Sequence, residues 1–455
     1  MSTTPTYDLL IRGGTVIDGT KAPRFDADVA ILDGRIAAIG ELAGASARRN
    51  IDAAGLIVSP GFIDSHTHDD QALLAQPDMG FKVSQGVTTV IAGNCGISAA
   101  PLVRGMKLPM PLDLIDGPDS ERHETFASWV AALSAKPAAT NVAALVGHST
   151  LRAATMKDLD REANAEEIAA MQALLVEALD AGAIGLSTGT FYPPALKAST
   201  AEIVAVGRPL TARGGLYVTH MRDESSKVME ALDETFRIGR ELAISVVVSH
   251  HKVQNRPNFG RSEETLAFVR ETMKGQSVCL DCYPYTAGST MIRTDRGMLD
   301  GRVLIASSVP HPECAGRELG EIATEWGVSD GIPVGEKPHP RLWGTFPRVL
   351  GHYSRDVGLF PLETAVWKMT GLTARNFGLA DRGSVAVGKH ADLVLFDAGT
   401  VKDAATYEEP TRPAVGIHTV IVNGGVAWEG GRSTGVRRGR VLRRTPSATH
   451  AGAAA

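Results

Sequence analysis

The chain has 455 residues, and its 46 Lys plus Arg against 51 Asp plus Glu leave a formal net charge of -5. That balance excludes the basic surface that nucleic acid needs. No uninterrupted apolar stretch is long enough to span a bilayer, and the first seven residues carry no basic-then-apolar leader, so a soluble, cytoplasmic protein is expected.

Residues 1–59 read as short strands separated by glycine and aspartate turns: Tyr7 to Arg12, Thr15 to Asp18, Asp28 to Leu32, Arg35 to Ile39 and Ile51 to Ile57. The same texture returns in 383–444, most clearly in Ala391-Asp392-Leu393-Val394-Leu395-Phe396, which predicts one small β-sandwich domain built from both ends. Residues 445–455 are Ala, Ser, Thr and Gly with few others and are expected to be disordered.

Between these ends, residues 60–382 alternate apolar runs with helical stretches, the pattern of repeated β-α units and a parallel sheet. Candidate strands end near His66, Cys95, His148, Ser187, His220, His250 and Tyr283. One test helix runs from Ala165 to Ala181: Asn164 caps it, Glu167 completes a capping box, and Gly182 ends it. With an eighth unit these imply an α/β fold, a (β/α)8 TIM barrel whose chemistry sits at the strands' C-terminal ends.

Those ends carry one ligand set. Gly61-Phe62-Ile63-Asp64-Ser65-His66-Thr67-His68 closes an apolar run with an H-x-H pair, and side chains two apart on a strand share a face. Cys95, His220 and His250 end their own runs. Singly, each has a plainer reading: a solvated histidine pair, a core cysteine, a hydrogen-bonded interior histidine. Four imidazoles and a thiolate at one barrel mouth favour zinc, and an open coordination position would make the site catalytic. Cys279 and Cys282 form a C-x-x-C whose side chains face opposite sides of a strand, so they are read as core.

The P-G-F-I-D-S-H-T-H-D-D start, the G-N-C-G-I-S loop, the T-H-M-R-D-E and S-H-H-K strand ends and the returning G-K-H-A-D-L-V-L-F-D strand resemble the N-acyl-D-amino-acid deacylases of the amidohydrolase superfamily over nearly the whole chain. The resemblance implies a barrel beside a small β-domain. It assigns Cys95, His220 and His250 to a tight Zn2+, with His66 and His68 at a second, weaker position. Asp330, in Ser329-Asp330-Gly331-Ile332-Pro333, matches the catalytic carboxylate that moves a proton from water to the leaving amine. Lys252, Tyr283 and Arg341 match residues that grip the substrate's free carboxylate, a task suited to cations and a phenol, and Tyr192 and Ser289 match further pocket positions. His148, His251 and His339 are left to structural roles. The expected reaction is hydrolysis of N-acyl-D-amino acids, small-molecule substrates; the runner-up is a cyclic-amide hydrolase like the hydantoinases. Arg293 hints at an acidic substrate side chain.

The chain departs from the family in one place. A stretch of some tens of residues before the S-D-G segment is missing, so the region around 287–328 is short and Glu325-Trp326-Gly327-Val328 leads straight to Asp330. The eighth strand is therefore poorly specified, and a misplaced Asp330 would leave a metal-binding barrel with impaired catalysis.

Overall fold

The computed structural model describes residues 6–103, 105–115, 121–285, 287–290, 304–307, 324–326, 329–333 and 337–445. The expected tail falls almost wholly outside them. Among the described residues no helix is long and apolar enough to cross a membrane.

Strands from the two ends of the chain form one nine-stranded sheet. Its path runs Arg432–Ser433, Gly425–Glu429, Ile417–Val422, Leu393–Phe396, Ile57–Pro60, Thr6–Val16, Phe25–Leu32 and Arg35–Gly40, with Ser46–Asp52 pairing Thr6–Val16 off the path. Alternating residues fill its inner face, among them Leu9, Ile11, Val29, Ile31, Val58, Leu393 and Leu395. Two expected strands, Tyr7 to Arg12 and Thr15 to Asp18, are one strand in the structure, with a register shift between Ile11 and Gly14. The reverse happens at 51–57: Ser46–Asp52 ends there and Ile57–Pro60 starts anew, because Ala53 to Leu56 closes a turn.

The barrel strands are all parallel. Phe62–Asp64, Val87–Ala92 and Asn141–Ala144 form one arc. Val146–Gly147, Gly185–Gly189, Leu216–His220, Val246–Val248, Val278–Cys282 and Thr324–Trp326 form the other. The strands from Phe62–Asp64 to Val278–Cys282 are buried on both faces, which is why most of them read as continuous apolar runs. The eighth strand does exist: Thr324–Trp326 pairs with Leu280 to Cys282. Asn164 and Glu167 make the reciprocal capping box at the start of Ala165–Ala181, and Met171, Leu175 and Ala178 are its buried residues. Cys279 and Cys282 pack into separate hydrophobic clusters on either side of their strand.

Sheet and barrel are joined by a buried polar network. Asp392 accepts from Asn141 Nδ2 at 3.0 Å and from the Asn423 amide at 2.7 Å, and pairs with Arg382. Past Ser433 the chain crosses the strands' N-terminal end of the barrel, where Leu442 N donates to Val142 O.

A second buried cluster braces the helices. Glu202 pairs with Arg152, lies 3.2 Å from His148 Nε2, and accepts from the Ala163 amide at 2.8 Å. Burial opposes ionisation of Glu202, but His148, Arg152 and the amide outweigh it and bring its pKa from 4.5 to about 2. A carboxylate lowered on folding stabilises above its unfolded pKa and loses that contribution as the pH falls towards the folded one. Chemical denaturation of the parent and of Glu202→Gln is therefore expected to show a stability gap that narrows by roughly 2 kcal/mol between pH 6 and pH 3. A pH-independent gap would assign Glu202 no ionic role.

Candidate metal centre

The donor atoms meet where the strands end. Cys95 follows Val87–Ala92 in a left-handed conformation, φ +54°, which turns its side chain in towards the barrel mouth. Gly93, at φ +81°, makes this approach possible: a Cβ there would stand 2.1 Å from Leu145 O. Cys95 Sγ lies 3.2 Å from His66 Nε2, 3.5 Å from His250 Nε2 and 3.7 Å from His220 Nδ1. Four ligands at about 2.0–2.3 Å around a tetrahedral zinc ion stand roughly 3.5 Å apart. The donor set has the spacing and the chemistry of a metal site.

His66 and His68 reach it differently from the expectation. Their strand ends at Asp64, so strand alternation does not align them. The loop does: their rings lie 5.6 Å apart, and both Nε2 atoms stand 3.5 Å from Asp330 Oδ1. Among the described residues three overlapping groups thus have metal-ligand spacing: His66 with Cys95 and His250; His66 with His68 and Asp330; His220 with Glu224 and His250. Cys95 sits between His66 and the His220/His250 pair.

Asp330 is not displaced by the short segment. Its amide donates to His66 O at 2.9 Å, and Arg341 Nη1 lies 2.8 Å from Oδ2. Burial works against the Asp330 carboxylate, yet Arg341, His250 and His66 hold its pKa well below the usual range. For Cys95 burial likewise opposes ionisation, and the charges of His66 and His250 with hydrogen bonds from His220 and His250 bring the thiol well below its ordinary value. Burial depresses His68, but hydrogen bonds to Asp330 and Cys95 outweigh it and raise it to about 9.

Neither of the proposed substrate cations is a solvated surface charge: Arg341 is buried and Lys252 is partly buried. Arg341 is 1% exposed and stacks over the Tyr283 ring at 4.5 Å. Lys252 Nζ lies 2.7 Å from Glu224 Oε2 and 5.9 Å from the same ring. Tyr192 Oη is 3.4 Å from His220 Nδ1. Ser289 has its backbone in Ala287–Thr290, but its side chain, like Arg293, lies outside the described residues. His148 serves the Glu202 cluster, His251 Nε2 lies 3.0 Å from Thr265 Oγ1, and His339 Nδ1 accepts from the Arg341 amide.

Sequence reading missed two carboxylates behind the histidines. Glu224 Oε1 lies 2.9 Å from His250 Nδ1, and Asp281 Oδ2 lies 3.5 Å from His66 Nδ1 while Oδ1 accepts from the His250 amide. Such partners fix which nitrogen faces a metal. Glu224, four residues after His220, and Asp281, mid-strand between two cysteines, were visible as a charge next to a ligand and a charge in an apolar run.

The amidohydrolase family model matches residues 49–279 and 327–427. The chain belongs to the amidohydrolase family. It is 55% identical to the D-aminoacylase of Alcaligenes xylosoxydans xylosoxydans, across 96% of this chain and 98% of that one. A D-aminoacylase structure solved to define the role of its binuclear metal centre, with one-metal activation and second-metal attenuation, superposes with TM-score 0.93 at 54% identity, covering 96% and 100% of the two chains. The N-acyl-D-glutamate deacylase of Bordetella bronchiseptica, bound to zinc and a phosphonate mimic of the tetrahedral intermediate, superposes with TM-score 0.91 at 40% identity over 96% and 100%.

Cobalt substitution tests the thiolate. The parent is expected to show a near-ultraviolet sulfur-to-cobalt charge-transfer band, and Cys95→Ala to lose it along with at least about a hundredfold in Co2+ affinity. An unchanged band would place the ion elsewhere.

Proposed function

We propose that this chain hydrolyses the amide bond of N-acyl-D-amino acids, releasing a carboxylate and a free D-amino acid. The observation that carries the reading is the placement of Asp330: Oδ2 is anchored by Arg341, and Oδ1 faces both His66 and His68. We assign a tight Zn2+ to Cys95, His220 and His250, and a second, weaker position to His66 and His68. When bound, zinc supplies the Lewis acidity that polarises the scissile carbonyl and brings water's pKa towards neutrality.

The chain's own groups do the rest. Asp330, ionised at neutral pH, takes a proton on Oδ1 and returns it to the departing nitrogen, because an amine expelled as an anion would be prohibitively poor. Arg341 stops that carboxylate from turning away. Glu224 and Asp281 hold the histidine rings in the orientation their partners require. Lys252, Arg341 and Tyr283 stand together as the receptor for the substrate's α-carboxylate; Tyr192 and Ser289 complete the pocket. A cyclic amide has no free carboxylate for this cluster to receive. An impaired barrel is disfavoured by the same Asp330 geometry. A thiol-bearing metal site suits a reducing compartment, and we place the protein in the cytoplasm.

The deciding measurement joins zinc content to hydrolysis of N-acetyl-D-methionine and its L enantiomer in one preparation. D-selective turnover with about one tightly held zinc is expected, and Asp330→Ala should retain zinc while kcat falls by roughly 10²–10⁴. Zinc-loaded protein inert towards every N-acyl-D-amino acid would refute the assignment. In Lys252→Met the KM should rise more than kcat falls; unchanged kinetics with Lys252→Met would favour a substrate without a free carboxylate.

A further inference from the structure

The eighth barrel strand spans three residues, and Asp330 stands beyond it. Among the described residues no strand ladder joins Thr324–Trp326 to Phe62–Asp64 across the seam. The seam is instead filled by a buried ionic cluster. Lys82, fully buried on the short helix Gly80–Val83, has Nζ 2.7 Å from Asp64 Oδ2, 2.6 Å from Ser329 Oγ and 3.2 Å from Asp69 Oδ2. Asp64 Oδ1 accepts from the Ser329 amide at 2.9 Å. Ser329 Oγ also accepts from the Gly331 amide at 3.2 Å, so its two contacts bracket Asp330.

The partners come from opposite sides of the seam. Asp64 is the last residue of the first strand, Lys82 and Asp69 belong to the segment after it, and Ser329 immediately precedes Asp330. Asp330 itself has φ +42°, a conformation that a non-glycine residue keeps only where its surroundings impose it. A buried ion pair is weak support for stability as such, since an apolar replacement of similar volume is often no worse. What it gives is a fixed geometry, through short, directional, charge-assisted bonds.

We propose that Lys82 is a positioning residue for the acid–base carboxylate: by tying Asp64 to Ser329 it fixes the backbone that presents Asp330 to His66 and His68, doing for this short barrel what a longer eighth strand would do. The kinetic part rests on the function proposed above; the metal-binding part does not. Lys82 contacts no metal donor directly; it reaches them through Ser329, beside Asp330, and through Asp64, whose Oδ1 also accepts from the His66 amide at 3.4 Å.

The test uses the full-length chain carrying Lys82→Met, which keeps the aliphatic packing and removes the ammonium. With N-acetyl-D-methionine, kcat is expected to fall roughly 10–100-fold, KM to stay within about twofold, and the solvent isotope effect on kcat to grow as proton transfer becomes limiting. In Co2+ titration the tight site should be unchanged while the second, at His66 and His68 facing Asp330, weakens about tenfold. A folded variant with parental kcat and parental second-site affinity overturns the proposal. So does a fall in kcat matched by an equal loss of tight Co2+, the mark of a merely structural role. If Lys82→Met does not fold, Ser329→Ala removes one bond of the clamp, and the same readouts, expected at roughly 3–10-fold, decide in the same way. Should the parent hydrolyse no N-acyl-D-amino acid, the function falls, and the Co2+ titration alone judges the clamp: a weakened second site upholds it, an unchanged one overturns it.

Discussion

A thiol, four imidazoles and several carboxylates share a pocket from which water is largely excluded, and that constraint governs the rest of the molecule. Charged groups so buried must be paired or must hold a cation. Here the donors themselves are too close to be independent: His66 and His250 each stand within hydrogen-bond range of Cys95 Sγ. Each arrives on a different strand end, so only a closed barrel assembles them. The chain bends to achieve this. Cys95, His250 and Asp330 all adopt positive φ, of +54°, +34° and +42°. Such residues cost on the order of 1–3 kcal/mol each and persist only where surrounding structure determines them.

Behind the donors lies a ring of opposite charges that lets each side chain act twice. Glu224 receives His250 on one oxygen and Lys252 on the other. Arg341 steadies Asp330 and, with Tyr283, lines the space assigned to the substrate. On the proposed function, substrate grip and proton transfer therefore share the Arg341 guanidinium. On that reading a change that looks like one of binding reaches the reacting centre as well, and kcat and KM are coupled through Arg341.

Much of this was legible in the chain because burial writes itself into sequence. Val246–Val248 and Leu216–Val218 are apolar on both faces, and each run leads within two residues to a histidine that has no packing reason to follow it. The helix Ala165–Ala181 declared its own start and stop through Asn164, Glu167 and Gly182. The misreadings came from features without a local signature. The bulge that keeps Thr6–Val16 continuous looks like a turn because Gly13 and Gly14 stand in it. The H-x-H pair suggested a strand where a loop does the aligning. Glu224 and Asp281 were passed over because a carboxylate is ordinary until its partner is known, and those partners are 26 and 31 residues away. Lys82 gave no sign at all: a lone lysine is normally solvated.

The eighth strand shows why a motif can be lost and its geometry kept. A parallel ladder requires backbone donors and acceptors in register, and Thr324–Trp326 supplies them without a β-branched run. Each such bond contributes a net of only about 0.5–1.5 kcal/mol, whereas bonds to a charged group contribute about 1.5–3 kcal/mol. Lys82 makes two short bonds of the charged kind, to Asp64 and Ser329, and Asp64 adds one to the Ser329 amide. On that scale the clamp rivals the three-residue ladder beside it. It also acts in a different direction: the ladder ties the eighth strand to the seventh, while the clamp ties the residue before Asp330 to the first. A strand that need only fill its place can shrink, provided that the carboxylate beyond it is located from the other side of the seam.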